Sequence, residues 1–298
     1  MHRKGQGMSE EAKRSISRIL SRLTEVFERA GIETPRLDAE VLLGYCLGKD
    51  RAELYRDLPL ELENDQILRI LELAGRRKRR EPMAYIRGFR EFWSLEFAVT
   101  PAVLVPRPET ECLVEEVLAL RDAYRGEKAR ILDIGAGSGA VGIAVASEWP
   151  DCDMTATEFS AAAIEVARAN AIRLLGTDRS ITFVQGDLYG GAEGVFDIVC
   201  SNPPYVSEAE YETLAREVTL YEPREALVAG PLGTEVHRRI AEGVREKLKP
   251  GGRLLMEMGA EQRAALTEIL ERTGLFGEIR FRADLAGLDR VAIARKIS

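Results

Sequence analysis

A short proline-containing segment, Ser201–Tyr205, has the sequence Ser-Asn-Pro-Pro-Tyr and directly follows an apolar run at 196–200. Each proline fixes its own φ at about −65°, lacks an N–H and keeps the preceding residue extended. We therefore expect a strand that delivers a rigid loop rich in carbonyl acceptors. With the Asn202 carboxamide and the Tyr205 ring, this loop suits a planar group that donates N–H bonds, either an amide or an exocyclic amine. The alternative is a plain turn that closes a buried strand.

A glycine-rich segment, 133–139, has the sequence Asp-Ile-Gly-Ala-Gly-Ser-Gly and lies between a predicted strand and a predicted helix. Glycines at such a turn allow a tight bend and let a ligand approach the backbone at the carboxyl end of a sheet. Residues 137–142 also match the GxGxxG pattern, so a nicotinamide dinucleotide is one candidate ligand. The expected cofactor contacts in this turn are Gly135, Ala136, Gly137 and Gly139.

Three acidic residues, Asp133, Glu158 and Asp187, end three successive predicted strands. A carboxylate at position 133 would repel a pyrophosphate but could pair with an ammonium group. S-adenosylmethionine carries an ammonium, a ribose diol and an adenine, and it has no phosphate. These three groups match the three acids in turn, with Leu188 beside the last of them. The set favours S-adenosylmethionine over a dinucleotide.

The C-terminal two thirds of the chain alternate between strand and helix patterns, which is typical of an open, mostly parallel α/β sheet. The last two strands are too close in sequence for a crossover helix, so we expect an antiparallel hairpin there. The predicted strands are 130–134, 153–158, 181–185, 195–200, 253–258, 278–282 and 290–296.

The N-terminal part is predicted to be helical, because apolar residues recur at helical spacing from Ile16 to Ala30 and again near 38–45 and 64–74. Asp50 is a predicted cap for a short helix in between. The basic run Arg76–Arg80 closes the last helix. It is either a solvated helix end or a docking patch for an acidic or RNA-associated partner.

After Pro82 the pattern changes to the twofold alternation of a β-hairpin, near 88–105. We therefore predict three parts: a helical domain at 1–80, a hairpin linker at 81–105 and a catalytic domain at 106–298.

Composition excludes several classes of protein. The 298 residues include 45% hydrophobic and 31% charged residues, which is ordinary for a globular protein, and there is no apolar run long enough to span a membrane. The four cysteines are scattered, so neither a disulfide framework nor a metal site is expected. Met1–Lys4 lacks the apolar segment of a secretory signal. We expect a cytoplasmic protein.

Charge is distributed unevenly. Residues 1–100 contain 19 Lys and Arg against 17 Asp and Glu, a net +2. Residues 101–298 contain the other 23 Lys and Arg and 32 Asp and Glu, a net −9, so the whole chain has a net charge of −7. An acidic catalytic half argues against non-specific nucleic-acid binding, which depends on phosphate neutralisation.

The chain resembles the HemK/PrmC family, the peptide chain release factor N5-glutamine methyltransferases, from about residue 15 onward. The most specific parts of the resemblance are Glu81–Ile86, Arg90–Trp93, Pro106–Glu111 and Asn202–Tyr205. Weaker similarity lies at Tyr221–Pro223, at Glu257–Gly259 with Gln262, and at Asp284–Val291. The Asn-Pro-Pro-Tyr box is shared with DNA N6-adenine methyltransferases, whereas Pro106–Glu111 and the helical front domain are not. At position 158 the family more often has Asp.

The resemblance implies a Rossmann-like class I methyltransferase sheet with a small all-helical N-terminal domain joined by a β-hairpin. It implies methyl transfer from S-adenosylmethionine, leaving S-adenosylhomocysteine, to the glutamine side chain of the Gly-Gly-Gln motif in release factors. The alternatives are glutamine methylation of a large-subunit ribosomal protein and DNA adenine methylation. We expect a monomer that docks release factors through its front domain and binds no nucleic acid directly.

The expected mechanism places Asn202, Pro203 and Tyr205 at the reacting amide. The Asn202 oxygen and the Pro203 carbonyl would accept the two amide N–H bonds, which strengthen as the nitrogen gains positive charge. Tyr205 would pack on the amide plane. His237 is expected to be a surface or packing residue, so the proton would leave to water. The expected substrate contacts are Asn202, Pro203, Pro204, Tyr205, Arg107 and Glu109, the last two with open roles.

Overall fold

The structure is a computed structural model that describes residues 14–177 and 181–297. The prediction that concerns Met1–Lys4 lies outside these ranges. The chain divides into two compact units. The first comprises residues up to Arg87 together with Arg216–Tyr221, and the second comprises Gly88–Ala215 and Glu222–Ser298.

The first unit is helical, as the apolar spacing predicted, and packs around a core that includes Leu20, Phe27, Leu43 and Ile70. Asp50 caps its helix in a capping box with Glu53. Its helices are α1 (Ile16–Arg29), α2 (Pro35–Leu47), α3 (Arg51–Arg56), α4 (Asn64–Lys78), α5 (Met83–Arg87) and, from the later part of the chain, α10 (Arg216–Tyr221).

Most of the basic run at the end of α4 is not a solvated helix end, whereas its role as a docking patch stays a prediction. Arg76 pairs with Glu81 at 2.5 Å, and Arg80 pairs with Glu217 at 3.1 Å. Arg77 is buried between Asp38, at 2.6 Å, and Glu217, at 3.0 Å. Three of the five charges are therefore held in ion pairs within the helical unit, two of them by carboxylates from distant parts of the chain. Lys78 and Arg79 remain as exposed residues of this run.

The second unit is built on a seven-stranded sheet with the order β10-β11-β9-β6-β3-β4-β5. The five strands from β9 to β5 are parallel to one another, whereas β11 pairs antiparallel with both β9 and β10. The strands of the sheet are β3 (Arg130–Ile134), β4 (Asp153–Glu158), β5 (Thr182–Gln185), β6 (Phe196–Ser201), β9 (Leu248–Glu257), β10 (Phe276–Ala283) and β11 (Asp289–Lys296). The predicted sheet and its antiparallel terminal hairpin are confirmed.

Helices pack on both faces of this sheet and bury two apolar clusters. They are α6 (Glu111–Leu118), α7 (Ala140–Glu148), α8 (Ala161–Leu175), α11 (Glu235–Lys247) and α12 (Arg263–Arg272), whereas the short α9 (Glu208–Tyr211) buries no residue. Two short strands, β7 (Val206–Ser207) and β8 (Val228–Gly230), form a parallel pair that the sequence did not predict, because they are too short to show alternation. Among the described residues, none of the helices is both long and apolar enough to cross a bilayer.

The predicted hairpin consists of β1 (Phe89–Phe92) and β2 (Leu95–Ala98) and groups with the sheet rather than with the helices. Trp93 and Ser94 form its two-residue turn with φ of +53° and +56°. Positive φ at both positions is the geometry that matches the twist of the flanking strands, although it is strained for residues other than glycine. Glu111 stabilises this turn by accepting a hydrogen bond from the Trp93 N–H at 2.9 Å.

Candidate active site

A cavity of about 420 Å³ opens at the carboxyl ends of β3, β4, β5 and β6. In an open parallel α/β sheet this edge is where ligands bind. The cavity brings together most of the predicted cofactor residues and the first part of the proline loop. The predicted residues that line it are Arg107, Gly135, Ala136, Gly137, Glu158, Asp187, Leu188, Asn202, Pro203 and Pro204.

The glycine-rich turn requires glycine at three positions. Gly135, Gly137 and Gly139 have φ of +77°, +55° and +82°, a region that L-residues with a Cβ rarely adopt. At Gly139 a Cβ would also lie 2.7 Å from the side chain of Ile143, so it packs the turn against α7 and is not part of the cavity lining. The turn is therefore a cradle that a side chain would fill.

Glu158 ends β4 and lines the cavity. Its Oε2 accepts a hydrogen bond from the Gly137 N–H at 2.9 Å, and its Oε1 accepts one from the Ser160 N–H at 2.8 Å. Phe159 follows it with 71% of its surface exposed and lines the same cavity. The sequence analysis missed Phe159, although its position directly after the strand-end acid was a usable signal.

Asp133 lies beneath this turn and does not line the cavity. It is 2% exposed, and its Oδ2 accepts a hydrogen bond from the Gly142 N–H at 3.0 Å. Burial raises the pKa of Asp133 to about 7, against the lowering effect of the Gly142 bond, and the nearby charge of Glu158 adds to the rise. The contact that the structure provides for Asp133 is with the start of α7, and direct pairing with an ammonium group stays a prediction.

Asp187 lines the cavity and pairs with Arg239 of α11 at 2.5 Å. Leu188 follows with φ of +52°, an uncommon conformation for leucine that turns the chain away from the strand end. Arg239 was not predicted, because nothing in its helical surroundings distinguishes it from a surface arginine.

The proline loop is anchored on both sides. Ser201 donates a hydrogen bond to the Ile134 carbonyl at 2.8 Å, which ties the end of β6 to β3. The Asn202 Nδ2 donates to the hydroxyl oxygen of Thr110 at 3.0 Å. Thr110 is 3% exposed and belongs to the Pro106–Glu111 segment, so this segment and the proline loop meet in one place. Thr110 was quoted within its motif but not predicted as a site residue.

Tyr205 lies at the far end of the loop and is not part of the cavity lining. Its hydroxyl donates to Oε1 of Glu257 at 3.4 Å, and its carbonyl accepts a bond from the Gln262 side chain at 2.8 Å. Burial, followed by the charge of Glu257, raises the pKa of Tyr205 well above its usual value. Packing of its ring on a substrate amide stays a prediction.

Arg107 and Glu109, whose roles were open, differ in their surroundings. Arg107 pairs with the buried Glu222 at 2.6 Å, and the other carboxylate oxygen of Glu222 accepts the Val105 N–H at 3.2 Å. This ion pair holds the Pro106–Glu111 segment, while Arg107 still lines the cavity. Glu109 is exposed.

His237 is fully buried in α11, which confirms a packing role and excludes a surface one. Its Nε2 hydrogen-bonds to the Glu257 carbonyl at 2.8 Å. Burial lowers the pKa of His237 to about 4, so the ring is neutral at pH 7.

The charges around the cavity suit a cationic ligand better than a pyrophosphate. Its charged lining consists of three acids, Glu158, Asp187 and Glu225, against two arginines. Both arginines are already paired, Arg107 with Glu222 and Arg239 with Asp187. No unpaired positive charge of this lining therefore faces a phosphate, and the donor set fits a sulfonium compound.

Comparison with known proteins agrees with this geometry. Residues 18–88 match the family model of the PrmC N-terminal domain, and residues 109–232 match that of the methyltransferase small domain. A release factor glutamine methyltransferase of Rhodopirellula baltica is 39% identical over 95% of this chain and 96% of its own length. The chain belongs to the release factor glutamine methyltransferase family. A second family member, from Koribacter versatilis, is 41% identical over 90% of this chain and 94% of its own length.

Solved structures support the fold of this family member. The crystal structure of a methyltransferase from Pyrococcus furiosus superposes with a TM-score of 0.50 at 21% identity, covering 79% of this chain and all of that one. At this identity the similarity concerns the fold alone. Membership in a methyltransferase family nevertheless removes the nicotinamide dinucleotide alternative that the GxGxxG match had left open.

Proposed function

We propose that this protein transfers a methyl group from S-adenosylmethionine to the side-chain amide nitrogen of the glutamine in the Gly-Gly-Gln motif of peptide chain release factors. The observation that carries the proposal is the shared cavity, in which Asn202 and Pro203 line the same space as Glu158 and the glycine-rich turn. Curated relatives that match nearly the whole chain bear the name release factor glutamine methyltransferase. Such a substrate would place the enzyme in the cytoplasm.

The residues that would hold S-adenosylmethionine are the glycine-rich turn, Glu158 and Asp187. Glu158 is the acid suited to a ribose diol, since it lines the cavity at the end of β4. Phe159 offers an exposed ring beside it for an adenine face. When bound, the cofactor supplies an activated methyl group on a sulfonium.

The chain's own task is to place and polarise the acceptor nitrogen. An amide nitrogen is a weak nucleophile because its lone pair is delocalised into the carbonyl. The Asn202 oxygen and the Pro203 carbonyl would accept its two N–H bonds and hold it in line for attack. These bonds strengthen as positive charge develops on the nitrogen, so they stabilise the transition state more than the ground state.

Release of the proton to water fits the titratable groups nearby. His237 is buried, bonded to a backbone carbonyl and not part of the cavity lining, so it is a poor base for the substrate. Asp133 and Glu257 are buried and also do not line the cavity. Of the acids that line the cavity, Glu158 already accepts two backbone N–H groups and Asp187 pairs with Arg239, so we infer that a solvent water takes the proton.

The test is a methylation assay with labelled S-adenosylmethionine and three candidate acceptors: a release factor, the same factor with its Gly-Gly-Gln glutamine changed to alanine, and duplex DNA. We expect label only in the unmodified factor. The Asn202→Ala variant should lose about 10²- to 10³-fold in kcat, because one transition-state hydrogen bond is removed. Its affinity for the cofactor, measured by calorimetry, should stay within about threefold of the wild type.

Label in the DNA, or in the factor that lacks the glutamine, would contradict the proposed acceptor. An Asn202→Ala variant with wild-type kcat would contradict the proposed role of the loop even if the acceptor is right.

A further inference from the structure

Beside the proline loop, three polar side chains lie next to one another: Asn202 and Thr110, which both line the cavity, and Glu257, which does not. Thr110 and Glu257 are almost fully buried, at 3% and 1% exposed. The Asn202 Nδ2 donates to Thr110 Oγ1 at 3.0 Å. The Thr110 hydroxyl lies close enough to the Glu257 carboxyl to lower the pKa of that group.

The two contacts on Glu257 are of unequal quality. The Tyr205 hydroxyl reaches Oε1 at 3.4 Å. Oε2 of Glu257 is buried and, within the described part of the chain, has no hydrogen-bond partner, so it is free to accept the Thr110 hydrogen. Hydrogen bonds in active sites are often long before the substrate binds and become shorter in the complex.

The direction of these bonds decides which end of the Asn202 carboxamide faces the cavity. A hydroxyl has one hydrogen to donate and lone pairs to accept with. An ionised Glu257 can only accept, so the Thr110 hydrogen points to it and the Thr110 oxygen receives the Asn202 N–H. The carboxamide nitrogen is then fixed on Thr110, and its oxygen is turned away from Thr110.

We propose that Thr110 and Glu257 are positioning residues that select the orientation of the Asn202 carboxamide in which its oxygen is presented to the acceptor amide. The inference rests on the proposed function, since the orientation matters only for an acceptor that donates N–H bonds. Loss of the acceptor at Glu257 would free the Thr110 hydrogen to bond the Asn202 oxygen. The carboxamide would then present its own N–H groups to the substrate nitrogen and repel it.

Several titratable or charged groups face Glu257 from the elements packed against it. They are Tyr205 of the loop, Glu109 and Cys112 beside Thr110, Arg290 of β11 and, through the Glu257 carbonyl, His237 of α11. The pKa of Tyr205 and that of Cys112 are raised, that of Arg290 is raised, and that of His237 is lowered to about 4. Burial raises the pKa of Glu257 itself to about 7.

The experiment compares kcat on a release factor, and cofactor affinity by calorimetry, for three variants. Thr110→Val keeps the shape but removes the hydroxyl, and we expect kcat to fall about tenfold or more with cofactor affinity within about threefold. Thr110→Ser restores the hydroxyl and should recover kcat to within about threefold of the wild type. Glu257→Gln should lower kcat and remove the rise in kcat that the wild type shows as the pH passes through about 7.

Thr157→Val is the matched control. It makes the same exchange at a fully buried threonine whose hydroxyl, among the described residues, has no hydrogen-bond partner. We expect wild-type kcat from it, since no hydrogen bond is lost.

The inference is wrong if Thr110→Val keeps kcat within about threefold of the wild type, if Thr110→Ser is no better than Thr110→Val, or if Glu257→Gln keeps the wild-type pH profile. These outcomes leave the proposed function intact, because the wild type still methylates the release factor. A wild type that does not methylate it overturns the proposed function and this inference together.

Discussion

Asp133 and Glu257 are buried carboxyls at the ends of β3 and β9, and burial affects them in the same way. In water such groups are ionised above about pH 4, whereas burial penalises the charged form. The pKa of each is raised to about 7, mainly by burial. Each carboxyl therefore holds a proton in the folded protein over a pH range in which the unfolded chain has released it.

This difference predicts a pH-dependent stability for Asp133. A carboxyl whose pKa is raised on folding stabilises the folded state fully below its unfolded pKa, and this contribution disappears as the pH rises through the folded pKa. Asp133→Asn removes the titration but keeps an oxygen that accepts the Gly142 N–H. The Tm of the wild type minus that of Asp133→Asn should therefore decrease between about pH 5 and pH 8. Thermal unfolding at several pH values measures it.

His237 acts in the opposite direction, because its lowered pKa makes the folded state less stable as the pH falls below the usual histidine value. Its effect is present in both proteins and cancels in the difference of Tm. A difference that stays constant over this pH range would contradict the protonated state of buried Asp133.

At the scale of elements, helix α8 connects the hairpin to the glycine-rich turn through one buried side chain. Asn170 is fully buried and makes two bonds to Ala98 of β2, accepting from its N–H at 2.8 Å and donating to its carbonyl at 3.0 Å. It also donates to the Ser138 carbonyl at 2.9 Å. The same carboxamide thus provides hydrogen-bond partners for the backbone of both the hairpin and the glycine-rich turn.

Replacing Asn170 should therefore destabilise the second unit. Asn170→Ala removes the partner of one buried and two part-buried backbone groups, and a buried group left without a partner costs about 1–3 kcal/mol. We expect a loss of at least about 3 kcal/mol in the free energy of unfolding, measured by urea denaturation. Ile172→Ala is the control on the same helix, since Ile172 is 66% exposed, and its effect should be within about 0.5 kcal/mol. Equal losses from both variants would contradict the bridging role of Asn170.

At the scale of the whole molecule, the chain contributes to the helical unit twice. Residues up to Arg87 form most of it, and α10 at Arg216–Tyr221 joins it from a point shortly after the proline loop. Glu217 of α10 pairs with both Arg77 and Arg80, and the Tyr221 hydroxyl donates to the Arg79 carbonyl at 2.9 Å. The Asn-Pro-Pro-Tyr loop is therefore followed within about a dozen residues by a segment that belongs to the helical unit.

Arg77 is expected to carry much of this attachment. Arg77→Ala leaves Asp38 and Glu217 largely buried without their shared cation, and removal of one partner from a buried pair costs about 3–5 kcal/mol. The free energy of unfolding of the helical unit should fall by that order in urea. The neighbouring exposed Lys78→Ala should change it by less than about 0.5 kcal/mol.

The same comparison separates structure from docking. Charge reversal at Lys78 and Arg79 alone tests the basic run as a release-factor surface, since Arg76, Arg77 and Arg80 are engaged in ion pairs. If Lys78→Ala lowered the free energy of unfolding as much as Arg77→Ala does, the ion pairs of Arg77 would not be what attaches α10 to the helical unit.

The sequence by itself determined the parts of this protein that depend on neighbours along the chain. Apolar spacing predicted the N-terminal helices, the alternation of strand and helix patterns predicted the sheet, and two prolines predicted a rigid loop at 202–205. The acids at 158 and 187 could be placed at one edge of the sheet, because parallel strands end on the same side.

Only the tertiary structure decided which distant side chains meet. Arg107 and Glu222 are 115 positions apart, and Asn202 and Thr110 are 92 apart. Their contacts depend on how loops fold back over the sheet edge, which local patterns do not encode. The burial of a side chain also depends on tertiary packing. Asp133 is an acid of the kind that could contact a cofactor, but packing places it beneath the glycine-rich turn. There it accepts a backbone hydrogen bond, and burial raises its pKa to about 7.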